Sequence, residues 1–389
     1  MRKHYFNNCL TSQPAPEVID AMLPYFKNKF YFPENFVKTG TMIDKKLRQF
    51  KNILANSIKA KPDEIHFTTG GTAANNLAIK GYLTANASKG NHIIVSVIDY
   101  PDLLTNAAFF ENSGFEVSYL QADEQGFIDL KQLEKEIKAN TILFMTTMAN
   151  HTVGTIQPLK KIRTILNKAD HKIAMHVDAC EAYGRVLIDV NDLGIDLMAV
   201  SAHKIHGPKG IGFLYQRQGI DLAPTKHGIK RMDNLETGSI SIAGIAGFAK
   251  AVELAFEDLT SNINHIRSIA NYLIKKIKSE IPHIIMNGAQ GEKRASHNVN
   301  ISFEYIEGEA IKMMLDLAGI AVATGSACAS QKLQSNYVLR ALGRTHEQSH
   351  GSIKFTISRY HTKEEIDYTV KQLKEIVEEL RKRSPLYKE

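Results

Sequence analysis

Between Glu64 and Arg217 the chain switches repeatedly between short β-rich runs and stretches of helical pattern, and this alternation restricts the fold more than any other feature. The runs fall at 65–69, 92–97, 115–120, 141–146, 172–177, 195–201 and 210–215. Most are apolar nearly throughout rather than at every second residue, the pattern of strands covered on both faces. Between most of them there is room for one helix, as at 72–87 and 158–169. Such β–α units predict an α/β fold, a mainly parallel sheet with helices on both sides. Ligands of such sheets gather where strands turn into helices.

After Gly238 the pattern changes. A helical region spans 242–280, with a break near Thr260. A strand (298–303), a helix (309–317), a loop rich in small residues (323–330) and another strand (352–358) follow. The closing helix, 363–383, carries Ile366, Val370, Leu373, Ile376, Val377 and Leu380 on one face and charges on the other. We read this half as a smaller α+β domain completed by the N-terminal segment. The division expected is a large domain over 13–258 and a small one made of 1–12 and 259–389. Met313 and Met314 read as helix core, and His346 and His350, four apart, as a solvent-facing pair.

Composition narrows the function classes. Forty-eight Lys and Arg stand against 41 Asp and Glu, a formal charge of +7, but the two signs are mixed along the chain. A nucleic-acid footprint would be clustered charge, so nucleic acid is not expected as the main ligand. Anionic small molecules or acidic protein partners suit the excess equally well. No apolar run of roughly 18 residues is present, and the first ten residues hold no signal-peptide core, so no membrane association is expected. The three cysteines, Cys9, Cys180 and Cys328, are an odd set at spacings no disulfide scaffold uses. Free thiols in a reducing cytoplasm are the natural reading, with Cys9 and Cys180 as small packing residues. His66, His171 and His176 show no ligand spacing, and no metal site is expected.

Four local patterns carry possible chemistry. Lys204 ends a buried strand and precedes a Gly-Pro turn; it is either an exposed turn lysine or an amine that forms a Schiff base with a carbonyl cofactor. Asp178 emerges at a strand end, as a helix cap or as the acid paired with a protonated pyridine nitrogen. The segment Phe67-Thr-Thr-Gly-Gly-Thr72 joins a strand to a helix, either as an ordinary turn or as an anion cradle at a helix N-terminus. Cys328 sits among small residues in Gly325-Ser-Ala-Cys-Ala-Ser330, as an inert thiol or one delivered to a substrate.

In combination and in this order, these patterns resemble the NifS/IscS cysteine desulfurases, pyridoxal-phosphate enzymes of the class-V aminotransferase group. The resemblance runs from about Tyr5 to Pro385. Its most specific blocks are Glu64-Ile-His-Phe-Thr-Thr-Gly-Gly-Thr72, His203-Lys-Ile-His-Gly-Pro-Lys-Gly210, Gly325-Ser-Ala-Cys-Ala-Ser330 and Ser352-Ile-Lys-Phe-Thr-Ile-Ser-Arg359. It implies the aminotransferase-like fold (fold type I), with a seven-stranded sheet in the large domain. It also implies roles. Lys204 would hold pyridoxal 5'-phosphate, and Asp178 would lie under the pyridine nitrogen. Gly71, Thr72, Ser201 and His203 would cup the phosphate, and Ser239 would reach the phosphate of the other subunit in a homodimer. Asn150 would lie near the ring hydroxyl and the substrate carboxylate, and Arg359 would fork onto that carboxylate. Cys328 would take sulfur from L-cysteine as a persulfide and pass it to an acceptor protein for iron–sulfur cluster or thio-cofactor synthesis.

The departures from the family pattern lie in the site. Tyr100 replaces a histidine over the ring, keeping a stacking face but offering a poor proton shuttle at neutral pH. Glu181 replaces a glutamine that donates to the ring hydroxyl, so it must be protonated, turned away or compensated by a nearby cation. Asn150-His-Thr152 replaces Asn-Asn-Glu, Asn7 replaces an aspartate, and Glu236 replaces an arginine. These leave three further readings open: a selenocysteine lyase, another pyridoxal-phosphate lyase or aminotransferase, and a weakly catalytic partner in cluster assembly.

Overall fold

The computed structural model describes residues 4–33, 37–228, 230–231, 233–324 and 335–387. Cys328 and its loop lie outside the described residues. The larger sheet has seven strands, in the order Ile65–Thr68, Gly212–Gln216, Leu197–Ser201, Ala174–Asp178, Thr141–Thr147, His92–Ser96 and Glu116–Leu120. Gly212–Gln216 runs antiparallel to both its neighbours, whereas the pairings among the last five strands are parallel. The exception has a simple cause. Only residues 205–211 separate Lys204 from this strand, too few for the helical crossover that a parallel return requires. The chain therefore doubles back, and Gly207 packs so closely on Ala202 that a Cβ would lie 2.7 Å from the Ala202 carbonyl oxygen.

The parallel strands are apolar because both faces are covered. Helix Gly71–Asn86 buries Ala74, Leu77, Ala78, Ile79 and Leu83, within a cluster that includes Ile93, Val95, Leu143 and Leu197. On the opposite face Val18, Ile43, Leu47 and Phe248 join Phe144, Val177 and Phe213.

A second sheet has four antiparallel strands, in the order Ile284–Met286, Asn298–Phe303, Ser352–Thr356 and Ala323–Thr324. Strand His4–Tyr5 pairs in parallel with Ile320–Ala321, and Asn7 bridges Thr356. Phe6 accordingly enters the core made by this sheet, where Val299, Ile301 and Phe355 meet Leu273 and Ile277 of helix Leu259–Glu280 and Val370 and Leu373 of helix Lys363–Arg383. The break expected near Thr260 lies at residues 257–258, where Asp258 caps the second helix through the Ser261 N–H.

Two expectations are corrected. Met313 is 68 % exposed rather than core, because helix Gly308–Leu317 turns Ile311 and Leu315 inward and the 3.6-residue period sends Met313 outward. His350 is largely buried rather than solvent-facing. It approaches Glu307 at 3.6 Å, and its ring lies tilted by 33° against that of His346, with centroids 4.2 Å apart.

Candidate active site

The candidate site lies at the C-terminal ends of the parallel strands, as expected for a sheet of this type. Gly71, Thr72, Tyr100, Asp178, Glu181 and Lys204 line one cavity, with Ser201 and His203 on its wall. A larger groove, bordered by Lys59, Leu187, Asp189 and Lys250, is open surface where several charges are already paired, as in the 3.0 Å Lys59–Asp189 bridge. We therefore locate the chemistry in the smaller cavity.

Asp178 ends strand Ala174–Asp178 and is buried. Its Oδ1 accepts from the Cys180 N–H at 2.9 Å and its Oδ2 from Asn75 Nδ2 at 2.8 Å. The other end of the Asn75 amide meets His176 Nε2 at 2.9 Å. Burial pushes the Asp178 carboxyl above its usual range, partly offset by these donors. A cation placed against it would favour its ionised form.

At Gly70 the backbone turns with φ of 139°, and helix Gly71–Asn86 begins without a side-chain cap. Its first N–H groups are thus available to an anion, aided by the helix dipole. Ser201 Oγ and His203 Nδ1 are buried without hydrogen-bond partners, on the wall of the same cavity. Burial lowers the His203 imidazole to about 4, with Lys204 acting in the same direction, so it is neutral at neutral pH. These orphaned polar atoms beside an open helix end fit a phosphate.

Lys204 closes the short turn Ala202–Lys204 after strand Leu197–Ser201. It is buried, and its Nζ lies 2.6 Å from Glu181 Oε1. Glu181 Oε2 faces Arg185 Nη1 and His297 Nε2, each at 3.4 Å. Arg185 Nη2 also donates to the Lys204 carbonyl at 2.6 Å and the Asn8 carbonyl at 3.3 Å. Burial alone would raise the Glu181 carboxyl, but Lys204, His297 and Arg185 outweigh it and hold the group well below its usual range. Of the three possibilities that the sequence leaves for Glu181, the structure shows compensation by cations.

Lys204 Nζ stands 5.6 Å from the Tyr100 ring centroid. The edge of His151 meets Tyr100 at 5.1 Å and 90°. His151 Nε2 lies 3.3 Å from the Tyr337 hydroxyl, which donates to the Asp99 carbonyl at 2.6 Å. Burial, with Lys354 nearby, lowers His151 to about 3. Lys354 itself donates to the His151 carbonyl at 2.9 Å.

The remaining expected residues are more scattered. Asn150 is buried, donating to the Ile98 carbonyl and accepting from the Thr152 and Val153 N–H groups. Its Oδ1 therefore holds its own turn. Ser239 is exposed between strand Asp233–Thr237 and helix Ile242–Phe256. Arg359 does not line the Lys204–Tyr100 cavity. It lines an adjoining one with Arg185 and His206, and its Nη2 donates to the Tyr360 hydroxyl at 2.9 Å. Cys328 lies outside the described residues. Sequence reasoning missed Asn75, Arg185, His297 and Lys354. Asn75 and Arg185 sit four residues from Gly71 and Glu181, a spacing that could have drawn attention; nothing local marks His297. Among the described residues no group of three or more His, Cys, Asp or Glu could hold a metal ion.

A buried lysine, a buried strand-end carboxyl, an aromatic face and an open helix N-terminus with orphaned donors form a donor set that fits a phosphorylated pyridine aldehyde. Residues 4–369 match the family model described as Aminotransferase class-V. A cysteine desulfurase IscS of Dictyoglomus turgidum is 39% identical over 388 residues, covering 100% of this chain and 98% of that protein. The mitochondrial cysteine desulfurase of Saccharomyces cerevisiae is 37% identical, covering 99% of this chain and 77% of that protein. A solved NifS-like protein superposes with a TM-score of 0.91 at 28% identity, covering 97% of this chain and 100% of that one. The chain belongs to the class-V aminotransferase family, among its NifS/IscS-like cysteine desulfurases.

Proposed function

We propose that the chain is a pyridoxal-phosphate-dependent cysteine desulfurase. It converts L-cysteine to L-alanine, captures the sulfur as a persulfide on Cys328 and passes it to an acceptor protein for iron–sulfur cluster or thio-cofactor synthesis. The observation that carries this reading is the convergence of Lys204, Asp178 and the uncapped helix start at Gly71 on one cavity. When bound, pyridoxal phosphate supplies an electron sink for the carbanion that forms beside the substrate amine.

The residues divide the remaining work. Lys204 would hold the cofactor through Nζ and, when free, would take the substrate α-proton at that atom. Asp178 keeps a pyridine nitrogen protonated. Gly71, Thr72, Ser201 and His203 bind the phosphate, joined by Ser239 of this chain acting across a homodimer. Tyr100 offers a stacking face, Glu181 lies beside Lys204, and Asn150 and Arg359 orient the substrate. The Cys328 thiolate attacks the substrate sulfur: an S–S bond forms, the C–S bond breaks, and its electron pair stays with the carbon that becomes the alanine methyl group. Free thiol chemistry suits a reducing cytoplasm, where we place the protein. We also propose the division into 13–258 and 1–12 with 259–389, supported by the separate core that Phe6 shares with residues after 259.

The deciding experiment has two stages. First, the purified protein should show a near-visible absorbance band that Lys204→Ala abolishes; a colourless protein that cannot be reconstituted overturns the reading. Second, added L-cysteine should yield alanine and protein-bound sulfane sulfur in equal amounts. Alanine without persulfide, or persulfide unaffected by Cys328→Ala, removes Cys328 from the mechanism.

A further inference from the structure

The resemblance leads one to expect a glutamine at position 181, and a carboxylate there is the largest change of charge inside the cavity. Its surroundings show what that charge does. Glu181 Oε1 touches Lys204 Nζ at 2.6 Å, while Oε2 is turned to Arg185 and His297 at 3.4 Å each. All four side chains are at least nine-tenths buried. The cluster also joins two parts of the fold: Arg185 holds the carbonyls of Lys204 and Asn8, and the His297 carbonyl accepts from the Ile357 N–H at 2.8 Å.

We propose that Glu181 is the counter-ion of Lys204, a positioning residue that keeps the amine protonated and aimed, and so sets the pH at which this lysine can capture a carbonyl ligand. The importance of that capture rests on the reading of Lys204 as the cofactor lysine; the counter-ion itself rests on geometry alone. Condensation needs the neutral amine. Lys204 must first lose a proton from Nζ to solvent; its lone pair then bonds to the carbonyl carbon, and the carbonyl oxygen leaves as water. An ammonium held at 2.6 Å by a buried carboxylate resists the first step.

The other groups facing Lys204 do not replace Glu181. Tyr100 offers a ring face from its loop, and Asp178 and Cys180 stand at the end of the neighbouring strand. Burial pushes all three upward. His203, His151 and His297 are lowered by burial and are neutral at neutral pH. Arg185 is a fixed cation facing the far oxygen of Glu181. Burial by itself would favour the neutral form of Lys204, but Glu181 raises the amine above its usual range. In this cluster Glu181 alone gives the Lys204 amine a direct carboxylate contact.

The test uses the full chain, washed with hydroxylamine to strip carbonyl ligands, and formaldehyde with cyanoborohydride as the probe. The amine and formaldehyde condense with loss of water, the borohydride hydride reduces the product to a methylamine, and peptide mass spectrometry reads each lysine. Exposed Lys209, five residues away, is the internal reference. In the unmodified chain Lys204 should lag Lys209 and rise with pH at a later midpoint. In Glu181→Gln, which keeps size and access, Lys204 labelling at pH 8 should rise at least about tenfold relative to Lys209, the change that a midpoint earlier by about one pH unit produces. An unchanged ratio in a variant with native circular dichroism overturns the proposal. If the variant does not fold, the unmodified chain decides: coincident pH midpoints for Lys204 and Lys209 overturn it equally. The labelling uses no pyridoxal phosphate, so this result is separable from the absorbance test of the enzyme reading.

Discussion

Gly71 stands so close to Cys180 that a Cβ placed on it would lie 2.5 Å from the Cys180 Sγ. The contact joins the open start of helix Gly71–Asn86 to the turn that follows Asp178. It fixes the distance between the proposed phosphate cradle and the proposed ring-nitrogen partner.

Gly71→Ala should therefore injure the site more than the fold. Overpacking of this kind costs about 1–3 kcal/mol, and the helix start must retreat from the cavity. We expect pyridoxal-phosphate affinity, measured by absorbance titration, to fall at least about tenfold. Adding Cys180→Ala removes the obstructing sulfur and should restore most of the loss. Failure of the double variant to recover would show that the clash is not the cause.

Asn75 offers a test of the buried network. It is the shared partner of Asp178 and His176. Asn75→Ala leaves a carboxylate oxygen and an imidazole nitrogen without these bonds, at about 1–3 kcal/mol per unsatisfied group. The denaturant midpoint should drop accordingly. An unfolding free energy within about 0.5 kcal/mol of the unmodified chain would mean that water replaces the amide.

Acid should destabilise the protein between pH 6.5 and about 4. Burial lowers His151 and His176 to about 3 and His297 to about 4, from an ordinary value of 6.5. Each depressed value means that the unfolded chain binds the proton first, so stability is complete above pH 6.5 and falls with pH. The slope is up to about 1.4 kcal/mol per pH unit for each histidine. Asp99 works the other way: burial raises it to about 6, and its proton uptake in the folded state offsets about one histidine below that pH. Thermal midpoints across pH 4–7 check this; a flat profile would refute it.

Arg359 and Tyr100 test the proposed division of roles. Arg359→Ala should raise the KM for L-cysteine with little change in cofactor affinity, since the residue lies in the adjoining cavity. An unchanged KM would end its assignment to the substrate carboxylate and direct attention to Lys354, which reaches the His151 carbonyl. Tyr100→Phe retains the ring beside Lys204 and should leave cofactor affinity within about threefold.

Much of the fold was legible because hydrophobic periodicity records burial. The near-continuous apolar runs around Ile93–Val95 and Leu197–Val200 could only be strands covered on both faces. The alternating charge of helix Lys363–Arg383 marked its outer side. Met313 and Met314 are the same residue type, and only the helix rotation separates the exposed one from the packed one. The site was legible where chemistry is local, as at Lys204 after its strand and Gly71 at its helix start. His297 was not, since its importance comes from meeting Glu181, a residue more than 90 positions earlier in the chain.

The three cysteines divide along the same line. Their odd number and their spacing argued against a disulfide framework, and the small residues around Cys328 singled it out as a reactive candidate, both from sequence alone. The structure buries Cys9 and Cys180 and puts Cys180 against Gly71, a contact no local pattern announces. It also decided the state of Glu181. The sequence could say only that a carboxylate there needs protonation, a turn away or a cation, because the energy of a buried charge depends on what folds against it. Arg185 is a local neighbour of Glu181, but Lys204 and His297 come from separate segments, and tertiary packing alone brings them to the same carboxylate.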